Sequence, residues 1–294
     1  MKRGALLYNP VAGRRRGEAL RDGLCAALRT AGWEIDATPT SGPGQATSLA
    51  AALAREGRVE AVFAVGGDGT LREVAAGLLG SDVALAPLPA GTTNVLVRAL
   101  GVPRQPLLAA RALATGVRRP LAVGICGATP FLMMVSAGLD AAVMAALSGE
   151  RKKRRGQLAV LAQGFDSWRR YAYPQLTARW NGEERSGSFA CVCNVPLYAG
   201  SLAMVPAARW DDDALELVLF HGAGRLATLS FAADLLRGRH LRRQDVTNAC
   251  VEELELLGPP ELPLQVDGDP CAETLPARVR VAPERLTVLV PASR

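Results

Sequence analysis

Histidine, aromatic residues and clean hydrophobic runs are scarce in this chain, and each shortage removes a class of function. Two histidines among 294 residues accompany the cysteines Cys25, Cys126, Cys191, Cys193, Cys250 and Cys271. None of these falls into CxxC spacing, so a zinc site is not expected. Cys191 and Cys193 flank Val192, which should turn both thiols to one side of a strand as reduced, partly buried groups suited to the cytoplasm. Aromatics make up 5% of the chain, too few for the aromatic-interleaved basic surface that stacks bases. Nucleic acid is therefore not expected as a partner, despite a net charge of +6. The longest apolar segment, 131–147, carries Gly138 and Asp140 in its middle. It is short for a bilayer span, and a carboxylate at that depth is costly. Met1-Lys2-Arg3 leads into a brief apolar stretch that Asn9-Pro10 ends, unlike a signal peptide. Internal repeats and low-complexity linkers are also lacking.

What is present is enough for two cores, since 49% of the residues are hydrophobic. Up to about residue 117 short apolar strands alternate with Ala-rich helical stretches: strands at 4–8, 33–37, 61–65 and 83–87, helices at 17–31, 44–56, 71–79, 93–100 and 106–115. That alternation predicts right-handed βαβ units and an α/β domain with a mostly parallel sheet. After about 120 the pattern changes to strands at 120–126, 131–136, 175–180, 189–195, 214–220, 251–257 and 278–290. Two helical interruptions lie near 140–170 and 224–238. This half predicts an antiparallel β-sandwich, and the expected division is 1–120 and 121–294.

The strongest local signal is Gly66-Gly67-Asp68-Gly69-Thr70. The apolar run Ala61-Val62-Phe63-Ala64-Val65 precedes it and Leu71-Arg72-Glu73-Val74 follows, which reads as strand, tight turn, helix. The glycines suggest positive φ angles and close approach of a ligand to bare backbone. Free N–H groups and the positive helix end suit phosphate. Asp68, expected in a surface turn, would repel phosphates unless a divalent metal lay between, so the turn predicts nucleotide phosphates with Mg²⁺. A glycine turn with a solvated aspartate is the alternative reading of this segment alone.

Three further segments extend the pattern: Tyr8-Asn9-Pro10-Val11-Ala12-Gly13, Pro89-Ala90-Gly91-Thr92-Thr93-Asn94 and Leu264-Gln265-Val266-Asp267-Gly268-Asp269. Together, in this order, the four resemble the diacylglycerol kinase and sphingosine kinase catalytic-domain family, specifically its bacterial soluble lipid kinases, over essentially the whole chain. The resemblance implies an NAD kinase-like first domain, to which the final strand (about 286–294) returns, and a lipid-binding second domain. It implies ATP held by Asn9, Pro10, Val11, Ala12 and Gly13, by Gly66, Gly67, Asp68, Gly69, Thr70, Leu71 and Arg72, and by Thr40 and Thr92. Thr40 and Thr92 would otherwise read as hydroxyls satisfying local turns. Arg14, Arg15 and Arg16 could screen phosphates, although a solvated helix start suits them better. Asp267 corresponds to the proton acceptor, its carboxylate projecting from the loop tip into a cleft, and Asp68 shares the catalytic role. Asp269 stands where the family usually has Glu, on the nucleotide or metal side. A structural Mg²⁺ is implied at Asp212 with the carbonyls of Arg209 and Ala214, hard oxygen ligands that suit Mg²⁺ or Ca²⁺. Asp140 corresponds to an aspartate that supports the metal network.

Departures from the family pattern fall at Val95, Asp213 and Asp269, where relatives carry Asp, Gly and Glu. NAD kinase shares the Gly-Gly-Asp-Gly-Thr turn, but the Asn-Pro-x-Ala-Gly opening and Gln-Val-Asp-Gly ending belong to the lipid kinases. A catalytically silent binding protein is the other alternative. The expected partner is a lipid hydroxyl at an anionic membrane surface, reached by a cytoplasmic enzyme docked peripherally at the inner face. Arg151-Lys152-Lys153-Arg154-Arg155, beside the amphipathic stretch 158–168, is the expected anionic-membrane contact. A homodimer stays open.

Overall fold

The computed structural model describes residues 1–10, 17–147 and 163–292. Two compact units emerge, one formed by Met1–Ala122 with Pro283–Arg294, the other by Val123–Ala282.

The first unit is an α/β layer structure. Its sheet runs in the order Trp33–Pro39, Lys2–Tyr8, Ala61–Gly66, Ala84–Pro89, Leu286–Val290, Val117–Leu121. All neighbours are parallel except the last pair, Leu286–Val290 with Val117–Leu121. Ala61–Gly66 is buried at every position, as a parallel strand covered on both faces should be. Helices Gly17–Thr30, Gln45–Glu56, Asp68–Leu78 and Pro106–Ala114 supply the cover. Trp33 anchors one edge of the core, packing edge-on against Phe63 at 5.0 Å and donating its indole N–H to the Ala114 carbonyl at 3.0 Å. Pro87 and Pro89 stand in a central strand where they have no N–H to donate. The ladder on that side shrinks accordingly to the single pairing Val288↔Leu85.

The second unit holds two six-stranded antiparallel sheets. One is ordered Glu183–Gly187, Leu176–Trp180, Glu253–Leu257, Ala277–Val281, Gly124–Cys126, Thr129–Phe131. The other is ordered Val246–Val251, Leu215–Phe220, Phe189–Cys193, Met134–Ala137, Leu264–Val266, Asp269–Pro270. Alternate residues from both sheets, among them Leu176, Ala178, Leu254, Leu256, Leu215 and Leu217, form one continuous core. Cys191 and Cys193 lie on the opposite face of their strand, with sulfurs 3.5 Å apart and both fully buried rather than partly.

Several strands expected as continuous are broken. The stretch 120–126 divides into Val117–Leu121 and Gly124–Cys126, and 278–290 into Ala277–Val281 and Leu286–Val290. In each case the two pieces join different sheets. Hydrophobic alternation continues across such a crossing, so periodicity alone does not mark it.

Candidate functional site

In the first unit the Gly66–Thr70 turn leaves the strand Ala61–Gly66 and opens the helix Asp68–Leu78. The expectation of positive φ is corrected here. Gly67 is extended at φ −88° and ψ −179°, and neither Gly66 nor Gly69 is among the positive-φ residues. These glycines are needed for space. A Cβ on Gly66 would stand 2.4 Å from the Cβ of Thr70, and one on Gly91 would stand 2.6 Å from the Cα of Gly67. Two loop backbones therefore meet face to face, at Gly67 and at Gly91.

Asp68 fixes that meeting. Its carboxylate accepts the N–H of Val95 at 3.1 Å, the N–H of Leu96 at 3.2 Å and the hydroxyl of Thr93 at 3.1 Å. Asp68 is buried, which corrects the expectation of a carboxylate in a surface turn. It stabilises the N-terminus of the short helix Val95–Ala99. Asn94 completes the loop in the left-handed region at φ 48°, donating to the Gly91 carbonyl at 2.8 Å and accepting the Gly91 N–H at 3.0 Å. Thr93 engages this network, and Thr92, expected as a nucleotide contact, is exposed beside it.

The remaining residues of this half sit as follows. Gly67, Gly69, Thr70 and Arg72 are half-buried and Leu71 is in the core. Gly69 and Thr70 occupy the first helical turn, whose N–H groups have no intrahelical acceptor. Thr40 is buried, its hydroxyl donating to the Tyr8 carbonyl at 3.4 Å. Asn9 is half-buried, its N–H 3.5 Å from the Val65 carbonyl, and Pro10 is exposed. Val11, Ala12, Gly13 and Arg14–Arg16 lie outside the described residues, as do Arg151–Arg155. Half-exposed backbone at Gly67 and Gly69, a helix N-terminus and an approach that a Cβ would fill all fit a nucleotide phosphate. Because Asp68 faces the Val95–Ala99 helix, a Mg²⁺ beside it would be held largely by phosphate oxygens and water, a common mode for this ion.

In the second unit Asp267 and Gly268 form the two-residue turn between Leu264–Val266 and Asp269–Pro270. Both take left-handed φ, 52° and 81°, the requirement of a tight hairpin turn. The Asp267 carboxylate is turned inward and buried. It accepts the N–H groups of Leu132 and Met133 at 2.9 Å each and that of Met134 at 3.0 Å. The expected projection from the loop tip does not occur, because the left-handed backbone swings the side chain onto the 132–134 amides. Asp269, two residues on, is half-buried.

Gln265 carries the turn into a second polar cluster. Its side-chain oxygen accepts the Gly268 N–H at 2.7 Å, while its amide N–H groups reach the Ser136 hydroxyl at 2.7 Å and Asp140 at 3.3 Å. Asp140 also receives the Ser136 hydroxyl, the Tyr198 hydroxyl at 3.1 Å and the Ala141 N–H at 2.7 Å. Burial pushes the Asp140 carboxyl above the usual range despite these bonds, and burial together with Asp140 pushes Tyr198 up as well. Gln265 stood in the recognised motif without a role, while Ser136 and Tyr198 carried no signal at all.

Asp140 opens onto a cavity of about 290 Å³ walled mainly by Phe189, Met204, Phe220, Phe231 and Leu235. Phe220 and Phe231 are stacked at 4.6 Å.

The loop expected to hold a structural ion is an exposed turn. Arg209 pairs with Asp211 at 3.2 Å, the Arg209 carbonyl accepts the Asp212 N–H at 3.2 Å, and the Asp212 carboxylate accepts the Asp213 N–H at 2.8 Å. Ala214 is half-buried beside them. Among the described residues no three His, Cys, Asp or Glu side chains converge as a metal site.

Comparison with known proteins gives a consistent result. Residues 3–126 match the model of the diacylglycerol kinase catalytic domain. Residues 133–290 match that of the YegS C-terminal NAD kinase beta sandwich-like domain. The chain is 27% identical over 277 residues to "Diacylglycerol kinase" of Bacillus subtilis, covering 92% of this chain and 90% of that one. It is 32% identical over 280 residues to "Probable lipid kinase YegS-like" of Pseudomonas aeruginosa, covering 91% and 88%. A crystal structure of a diacylglycerol kinase from Bacillus anthracis aligns with TM-score 0.80 over 98% of this chain and 97% of that one. The 21% identity there speaks to the fold alone.

Proposed function

The chain belongs to the diacylglycerol kinase family of lipid kinases, and from that premise we propose that it transfers the γ-phosphoryl group of ATP, with Mg²⁺, to the hydroxyl of a membrane lipid. The observation that carries the lipid half of this reading is the cavity at Asp140. Aromatic and aliphatic walls of this kind suit an acyl or alkyl chain and offer little to a dinucleotide such as NAD. The hydroxyls of Tyr198 and Thr228 and the Asp140 carboxyl supply a few polar contacts for the polar end of the lipid.

The nucleotide half rests on the Gly66–Thr70 turn. The first N–H groups of helix Asp68–Leu78 would receive phosphate oxygens, and Asp68 keeps the Gly91–Val95 loop against that turn. Mg²⁺ on the phosphates would neutralise charge developing in transfer. In the transfer the acceptor oxygen bonds to the γ-phosphorus as the bond to the β-phosphate oxygen breaks, and a carboxylate takes the hydroxyl proton. Asp267, the proton acceptor that the family resemblance implies, has its carboxylate held in place by three amide N–H groups, and Asp269 stands two residues on.

The test is a panel of diacylglycerol, ceramide, phosphatidylglycerol and NAD with labelled ATP and Mg²⁺. Label should enter at least one lipid alcohol and not NAD. Label only in NAD, or in none of the four, would overturn the reading.

A further inference from the structure

Large apolar side chains stand mostly exposed at few places among the described residues. Four of them, Phe165, Leu226, Leu229 and Leu236, belong to two neighbouring helical stretches, 163–170 and Arg225–Leu236. The stretches are joined. Trp168 donates its indole N–H to the Arg225 carbonyl at 3.1 Å, and its ring lies 5.8 Å from that of Phe165. Isolated exposed leucines need no explanation, but a contiguous apolar patch does.

The helix Arg225–Leu236 is apolar on two sides. At 100° per residue, Thr228, Phe231, Ala232 and Leu235 share one side, and these line the cavity. Leu226, Leu229, Ala233 and Leu236 share the other. Leu226 is 83% exposed and Leu236 is 71% exposed, while Leu236 also borders the cavity. One helix thus separates an apolar cavity from an apolar outer surface, and Leu236 belongs to both.

The charges left over around it have one sign. Arg225, Arg237 and Arg239 stand exposed at the two ends of the helix, and Arg169 on its neighbour. The acidic residues on these elements are already paired, Asp234 with Arg243 at 2.6 Å and Asp166 with Arg170 at 2.9 Å. Leucines and a phenylalanine facing outward between arginines describe an element that lies in the plane of a bilayer interface. The phosphates of an anionic leaflet complement the arginines, and hydrocarbon complements the leucines.

We propose that the outer face of helix Arg225–Leu236, together with Phe165, docks on an anionic lipid bilayer, and that the lipid substrate enters the cavity past Leu236 without crossing water. This rests on the lipid-acceptor reading above for the cavity's occupant, while the docking face stands on its own exposure and charge.

The experiment is sedimentation of the full chain with vesicles of phosphatidylcholine containing or lacking phosphatidylglycerol. Phe165→Ser/Leu226→Ser/Leu229→Ser should weaken binding at least about tenfold, given the transfer energy of such side chains, with an unchanged melting temperature. Arg225→Gln/Arg237→Gln/Arg239→Gln should weaken binding to anionic vesicles by about fivefold per charge, with no effect on neutral ones. Turnover of a water-soluble short-chain diacylglycerol should persist in both variants. In a separate full-length variant, Leu226→Trp, fluorescence should shift to the blue when anionic vesicles are added. Unchanged sedimentation in the serine variant, or no shift from the new tryptophan, would overturn the proposal. So would a dimer that the serine variant converts to monomer while vesicle binding stays intact. A chain that sediments through this face but phosphorylates no lipid would sink the functional reading and leave the docking surface standing.

Discussion

At the scale of the residue, the Asp267 carboxylate ties its turn to the 132–134 amides. Asp267→Asn should cost the second unit about 1–3 kcal/mol, because an amide cannot receive three N–H donors as the carboxylate does. Through the proton-acceptor role proposed for it, the same substitution should lower turnover by about 10²–10⁴-fold, the usual weight of general-base assistance. Turnover and thermal unfolding of the purified variant decide it, and turnover equal to that of the parent would take the proton-acceptor role from Asp267. The identity of Asp267 was legible in the sequence, but not this placement. It depends on Asp267 adopting φ 52°, which a non-glycine residue takes infrequently, and on amides 133–135 positions away in the chain. Asp68 teaches the same lesson. Its motif announced an acid beside phosphates, and nothing local revealed that its oxygens cap a helix 27 residues later.

At the scale of the element, the strands and helices up to residue 114 were readable because each carries a complete local signal. The expected helix at 106–115 appears as Pro106–Ala114, and the expected strand at 61–65 as Ala61–Gly66. The second unit was readable as a class but not strand by strand, since its corners lie inside apolar runs. Gly124 is one such corner. A Cβ there would overlap the Phe131 ring, a constraint set by the partner strand and invisible in the segment itself. The contact between the turn at Gly67 and the loop at Gly91 is likewise tertiary. Gly91→Ala should force the two apart at a cost of about 1–3 kcal/mol, typical of an overpacked site, and weaken nucleotide binding with it. Calorimetric titration with an ATP analogue, beside a melting curve, is the check. Nucleotide affinity equal to that of the parent would show that the close approach serves packing alone.

At the scale of the whole molecule, the first unit is assembled from both ends of the chain. Leu286–Val290 lies between Ala84–Pro89 and Val117–Leu121 and pairs with both. Cutting the chain after Ala282 should therefore open that sheet and make residues 1–122 sensitive to limited proteolysis at temperatures where the full chain resists. A protease-resistant 1–122 fragment from the truncated protein would contradict this. The returning strand is among the features that local sequence reading supplies least, because Leu-Thr-Val-Leu-Val fits any buried strand equally well.

That strand also sets a timetable. The 160 residues of Val123–Ala282 must be synthesised before the first sheet can be completed, which takes about 8–30 s at ribosomal rates. For that interval Ala84–Pro89 and Val117–Leu121 exist without the strand that belongs between them, and they present unpaired backbone to the crowded cell. The newborn chain is thus open to edge pairing with its neighbours for as long as its second half is being translated.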